Sequence, residues 1–188
     1  MPETIQAMDA GALLWIQEQV RCPALNPLIE LYTNLGEGGL LWIAVSLALL
    51  LRRKTRRAGC LALVALLGCY AVNDLLLKEL FARPRPFLTV DGLEILIAPP
   101  NSWSFPSGHA ASSLAAAGTW LRTLPGRGRW VLLALAVGMA LSRLYVGVHY
   151  PTDVLAGMLV GLLGSWALYR FTGPAYDRLS RRWSWLAA

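Results

Sequence analysis

Both histidines of this 188-residue chain, His109 and His149, fall in short polar segments at the edges of strongly apolar stretches. One segment is Lys78-Glu-Leu-Phe-Ala-Arg-Pro-Arg85-Pro86, which holds the single lysine outside the basic cluster 52–57. Another is Pro106-Ser107-Gly108-His109. In the third, Ser142-Arg143 is followed by His149 and Asp153. Cations and imidazoles gathered at a membrane surface suit chemistry on a phosphate carried by a lipid.

Each segment has its own logic. Pro151 fits the first turn of a helix, which places Asp153 inside that turn and His149 just before it. A carboxylate there can accept one imidazole N–H, fix the tautomer and leave the other nitrogen as a nucleophile. Ser107 is a good helix N-cap. The free N–H groups of that helix start form an anion site, and Gly108 permits close backbone approach. His109 in the first turn can pass a proton to a leaving oxygen. Lys78 supplies a point charge and Arg85 a planar fork for phosphate oxygens. Asp74, one helical turn before Lys78, is placed to orient it. Arg143 is too costly in a membrane without a partner. Arg83 reads as a lipid-headgroup contact. Taken singly, these are also the marks of ordinary helix caps and headgroup contacts.

The elements that must position these residues are membrane helices. Hydrophobic residues make up 56 % of the chain, charged residues 15 %, and the mean hydropathy is +0.49. A soluble domain would carry about 25 % charged residues. The net charge of +6 does not point to nucleic acid, because most of the 17 Lys and Arg sit in clusters at the ends of apolar runs. Five spans are expected: Leu35 to Leu51, Ala58 to Leu80, Gly108 to Leu124, Trp130 to Tyr145 and Asp153 to Phe171. The third is rich in small residues and reads as a helix packed inside a bundle. The positive-inside rule puts the clusters 52–57, 122–129 and 170–182 in the cytoplasm. All three chemical segments then share the outer side. The stretch 7–34, broken by Pro23 and Pro27, reads as two short helices at the outer interface. The alternative, a first span there, would place Glu18, Arg21 and two prolines in hydrocarbon. Trp42, Trp103, Trp130 and Trp183 suit aromatic belts, and Trp103 and Phe105 lie beside the site. Cys22, Cys60 and Cys69 make no disulfide framework. With an acidic start and only a short apolar run at 11–16, no cleavable signal peptide is expected from this sequence.

The three patterns Lys78…Arg85-Pro86, Pro106-Ser107-Gly108-His109 and Ser142-Arg143…His149…Asp153 closely match the type 2 phosphatidic acid phosphatase family, which the chain resembles from Lys78 to Asp153. No motif position departs from the family pattern. The resemblance implies an all-α integral membrane helical bundle. It is expected to be one domain, with interfacial helices over 1–34, a transmembrane bundle over 35–171 and a cytoplasmic tail over 172–188. It also implies that His149 attacks phosphorus, Asp153 supports it, and His109 serves as acid and then base. Lys78, Arg85 and Arg143, with Ser107 and Gly108, hold the phosphate oxygens. The expected substrate is a membrane lipid phosphate: undecaprenyl diphosphate, phosphatidylglycerol phosphate or phosphatidic acid. No cofactor, no metal and no nucleic acid enter this expectation. The enzyme would lie in a bacterial cytoplasmic membrane with its site facing outward. Two rivals use the same residues: a lipid or anion transporter, and a vanadate-dependent haloperoxidase.

Overall fold

The protein is described by a computed structural model covering residues 2–183. Among these residues there are helices and connecting loops but no strand. The eight α-helices are α1 (Glu3–Trp15), α2 (Asn26–Leu35), α3 (Leu40–Leu50), α4 (Arg53–Val72), α5 (Lys78–Phe81), α6 (Gly108–Thr123), α7 (Gly128–Tyr145) and α8 (Pro151–Ser180).

Three helical rods are long and apolar enough to cross a membrane: the one that starts at Arg53 and continues past α4, then α7, then α8. The pair α2 and α3, bent by 51°, adds a fourth if it counts as one crossing. The chain is thus a multi-pass helical membrane protein. Of the span expected over 35–51, α3 covers Leu40–Leu50, and the chain bends just before it. Gly36, Gly38 and Gly39 lie at the bend, and Gly38 and Gly39 take positive φ angles of 58° and 75° that side chains resist. Pro27 sits in the first turn of α2, where a missing N–H costs nothing. Helix α8 continues past the expected end at Phe171 to Ser180. The last five residues of the expected tail lie outside the described residues.

Helix α6 is the axis of the bundle. Every residue from Ser113 to Trp120 is buried. It is walled by α4, α7 and α8, so it needs no apolar face toward lipid, which explains its modest hydropathy. A Cβ on Gly157 or Gly161 of α8 would collide with the carbonyls of Ser107 and Ala111 on α6. Small residues on both helices therefore bring their backbones together. Trp42 was expected in an aromatic belt. It is instead buried, donates to Ser113 Oγ at 2.8 Å and meets Trp120 edge-on at 6.0 Å. Trp103, Trp130 and Trp183 are exposed. Leu67, Leu135, Leu155, Leu159, Leu163 and Phe171 are also exposed, as an outer apolar surface requires.

The two ends of the bundle differ in chemistry. At one end Arg57 of α4 pairs with Asp177 of α8 at 2.8 Å, and Arg122 of α6 reaches Ser165 of α8. At the other, the start of α6 is tied to the start of α8 by Ser107 N–H donating to the Asp153 carbonyl at 3.0 Å. The end of α4 joins them there, with Asn73 donating to the Pro106 carbonyl at 3.4 Å.

Candidate active site

The three helix ends that meet there carry the three chemical segments. They surround a cavity of about 1290 Å³, walled by Lys78, Arg85, Gly108, His109, Arg143 and His149 among others. Residues from Lys78 to His149 thus converge on one space. Asp153 and Ser107 do not reach the cavity wall. Both are fully buried behind it, and Ser107 serves as the N-cap of α6 by accepting from Ala110 N–H at 3.4 Å.

His149 lies in the turn between α7 and α8, and is 2 % exposed. Its Nε2 is 2.9 Å from Arg85 Nη1. A guanidinium can only donate, so Nε2 is the acceptor and the neutral ring carries its proton on Nδ1. That nitrogen faces Asp153 Oδ2 at 3.5 Å, longer than a good hydrogen bond, and among the described residues no side chain bonds to it within normal geometry. Burial, then the positive charges of Arg85, Arg143 and Lys78, hold the imidazole well below its usual range. His149 is therefore neutral, with its Nε2 lone pair turned toward the cations.

Each cation is held by a specific partner. Lys78 Nζ donates to Asp74 Oδ1 at 2.6 Å, one turn earlier on the same rod. Arg85 is fixed by the Ser102 carbonyl at 2.8 Å, the Ser102 hydroxyl at 3.1 Å and the Val148 carbonyl at 2.9 Å. Arg143, 3 % exposed, donates to Thr33 Oγ1 at 2.6 Å, and its buried Nε has no partner among the described residues. A buried guanidinium with unmet donors beside a cavity is a seat for an anion. His109 Nε2 lies 3.1 Å from the Thr33 carbonyl, which can only accept. Nε2 therefore bears a proton, and Nδ1 is the nitrogen left for chemistry.

Arg83 corrects the sequence reading. It is 7 % exposed, and its guanidinium is turned to buried partners. Its Nη1 donates to Asp153 Oδ1 at 2.6 Å, and its Nη2 to Asp9 Oδ2 at 2.8 Å. The guanidinium also stacks on Tyr150, 3.8 Å from the ring centroid. Ser104 donates to Asp153 Oδ2 at 2.5 Å. Thr33, Ser102, Ser104 and Asp9 were missed because each polar residue looks ordinary in sequence and gains meaning only across long separations. Arg83 did carry a signal, since a second arginine held between prolines beside Arg85 is expensive to leave idle.

Residues 57–177 match the model of the PAP2 superfamily. The chain belongs to the PAP2 superfamily. It is a membrane lipid phosphatase by class. It is 36 % identical over 156 residues to an undecaprenyl-diphosphatase of Sulfolobus acidocaldarius, which covers 80 % of this chain and 73 % of that relative. Its fold resembles the crystal structure of a transmembrane PAP2-type phosphatidylglycerolphosphate phosphatase from Bacillus subtilis. The TM-score is 0.69 at 27 % identity, over 91 % of this chain and 87 % of that one. The crystal structure of Aquifex aeolicus LpxE shares the fold with a TM-score of 0.76 at 24 % identity, over 87 % and 96 % of the two chains. The PAP2 match begins at Arg57, so Asp9 and Thr33 lie outside it.

Proposed function

We propose that this PAP2 protein hydrolyses a lipid phosphate or diphosphate without a metal, through a phosphohistidine on His149. The observation that carries this reading is the contact of His149 Nε2 with Arg85 in a cavity also lined by Lys78, Arg143, Gly108 and His109. The negative charge of the bound phosphate lets His109 take up a second proton, on Nδ1. In the first step the Nε2 lone pair of His149 attacks phosphorus. An N–P bond forms, the bond to the lipid oxygen breaks, and His109 gives that oxygen the proton from Nδ1. In the second step water attacks phosphorus as His109 takes its proton. The N–P bond then breaks and phosphate leaves. Charge on the equatorial oxygens is met by Lys78, Arg85, Arg143 and the N–H groups at the start of α6. Ser107 contributes as the cap that shapes that helix start.

The same cavity is walled by Ile43, Leu63, Leu66, Leu67 and Tyr70. Leu67 and Tyr70 are exposed on the outer apolar surface. A lipid tail can thus remain in the bilayer while its phosphate enters the polar end. We take the substrate class from the two relatives named for lipid substrates, an undecaprenyl-diphosphatase and a phosphatidylglycerolphosphate phosphatase. Counting the bent pair α2–α3 and the buried α6 as crossings gives five, a reading that the positive-inside rule supports with the basic clusters in the cytoplasm and the site outside a cytoplasmic membrane. The whole chain then forms one domain, with α1 at the outer interface.

Purified protein in detergent with EDTA is expected to release phosphate from undecaprenyl diphosphate or phosphatidylglycerol phosphate. Rapid denaturation during turnover of labelled substrate should trap an acid-labile, base-stable phosphoenzyme, absent in His149→Ala. Loss of activity on chelation that magnesium restores would refute the metal-free route. Full activity in His149→Ala would refute the nucleophile.

A further inference from the structure

Asp153, the residue facing His149, has both carboxylate oxygens committed. Oδ2 accepts from Ser104 Oγ at 2.5 Å and from Tyr150 N–H at 2.9 Å, and it is the oxygen turned to His149 Nδ1. Among the described residues, Oδ1 accepts from Arg83 only, at 2.6 Å. Arg83 on Oδ1, together with Ser104 and the Tyr150 N–H on Oδ2, therefore fixes how the carboxylate is rotated toward the imidazole.

Arg83 is in turn held from outside the PAP2 core. Its Nη2 donates to Asp9 Oδ2 at 2.8 Å and to Gln6 Oε1 at 2.6 Å, both on α1. Its Nη1 also donates to Thr152 Oγ1 at 2.8 Å. Asp9 is 4 % exposed, and its Oδ1 accepts Thr152 N–H at 3.1 Å. That N–H is one of the unpaired donors in the first turn of α8, the turn that carries Asp153. Gln6 closes the ring by donating to Tyr150 Oη at 2.7 Å. One helix thus fixes both the backbone N–H of Thr152, just before Asp153, and the guanidinium that clamps the Asp153 carboxylate. Arg83 stands between two buried carboxylates. Removing its charge would leave Asp9 and Asp153 without their shared counter-ion.

We propose that Asp9 and Arg83 are positioning residues for phosphoryl transfer, acting through Asp153 on the orientation of His149. Helix α1 is then part of the active-site architecture and not solely a membrane-surface element. This rests on His149 being the nucleophile.

The test uses the full-length protein in detergent, with kcat and KM for a lipid phosphate, inhibition by inorganic phosphate, and the rate of phosphoenzyme formation. Asp9→Asn keeps the size and removes the charge. It should lower kcat and the rate of phosphoenzyme formation about tenfold, and Arg83→Gln up to about a hundredfold. KM and phosphate inhibition should stay within about twofold of wild type, because the phosphate clamp is untouched. Asp9→Glu and Arg83→Lys should recover part of the loss. Rates are normalised to the folded, monodisperse fraction, and if Arg83→Gln does not fold, Asp9→Asn decides. Wild-type kcat in Asp9→Asn overturns the proposal. So does a loss that appears equally in phosphate inhibition. An active His149→Ala would instead bring down the nucleophile assignment. An inactive His149→Ala beside a fully active Asp9→Asn brings down this inference alone.

Discussion

Thr33 and Arg143 are 110 positions apart in sequence, yet Arg143 Nη1 donates to Thr33 Oγ1 at 2.6 Å in a fully buried contact. The same threonine offers its carbonyl to His109 Nε2. One residue at the end of α2 therefore seats both a phosphate-clamp cation and the proposed acid–base. The side chain and the backbone serve different partners, so the two roles can be separated experimentally.

Thr33→Val removes the hydroxyl and keeps both shape and carbonyl. A hydrogen bond to a charged group contributes about 1.5–3 kcal/mol, so inhibition by inorganic phosphate should weaken roughly tenfold or more. The effect should appear mainly in KM, since His109 keeps its carbonyl partner. Thr33→Ser should restore most of the affinity. Steady-state kinetics with phosphate as inhibitor check this, and unchanged inhibition in Thr33→Val would remove Thr33 from the clamp.

Burial and three neighbouring cations hold His149 well below its usual range. An unfolded histidine titrates near 6.5. Between about 6.5 and the lower folded value, the unfolded chain binds a proton that the folded chain does not. The contribution of His149 to stability is thus fully present above about pH 6.5 and falls as pH drops below it. His149→Gln should flatten that slope, and thermal midpoints of both proteins from about pH 5 to 8 measure it. By the same shift, the free enzyme should show no acid limb near pH 6.5 arising from this residue.

The chemical segments were legible because their spacing is local. Lys78 and Arg85, Ser107 and His109, and His149 and Asp153 each lie within two helical turns. The interior position of α6 was legible too, since a run of Ala, Ser and Gly would be a poor lipid-facing surface. The bend at Gly36, Gly38 and Gly39 was also visible in principle. Three glycines within four residues weaken any helix, but the apolar run after them masked the break. The supports were not legible. Asp9 reaches Arg83 over 74 residues and Thr33 reaches His109 over 76, and no periodicity encodes such contacts.

Close packing of α8 on α6 makes a further demand. Gly161 faces the Ala111 carbonyl and Ala115 N so closely that no Cβ fits. Backbone cannot yield as a flexible side chain can. Gly161→Val should destabilise the protein by about 1–3 kcal/mol. It should also lower kcat, because the helices it separates carry His109 and Asp153. A lower thermal midpoint in detergent together with reduced turnover is the expected result, and a wild-type midpoint would contradict the contact.

Asp177 and Asp9 make a useful contrast. Each forms an arginine ion pair, at 2.8 Å in both cases. Asp177 and Arg57 are 51 % and 27 % exposed at the basic end of the bundle, whereas Asp9 and Arg83 are 4 % and 7 % exposed beside Asp153. Water screens the first pair, so Asp177→Asn should cost no more than about 1 kcal/mol and leave kcat unchanged. Breaking the second leaves a buried arginine short of a partner, and its loss should reach the reaction. Measuring thermal midpoint and kcat for both substitutions separates a general ion-pair effect from one transmitted to the site. Equal effects on kcat would show that the position of Asp9 carries no special weight.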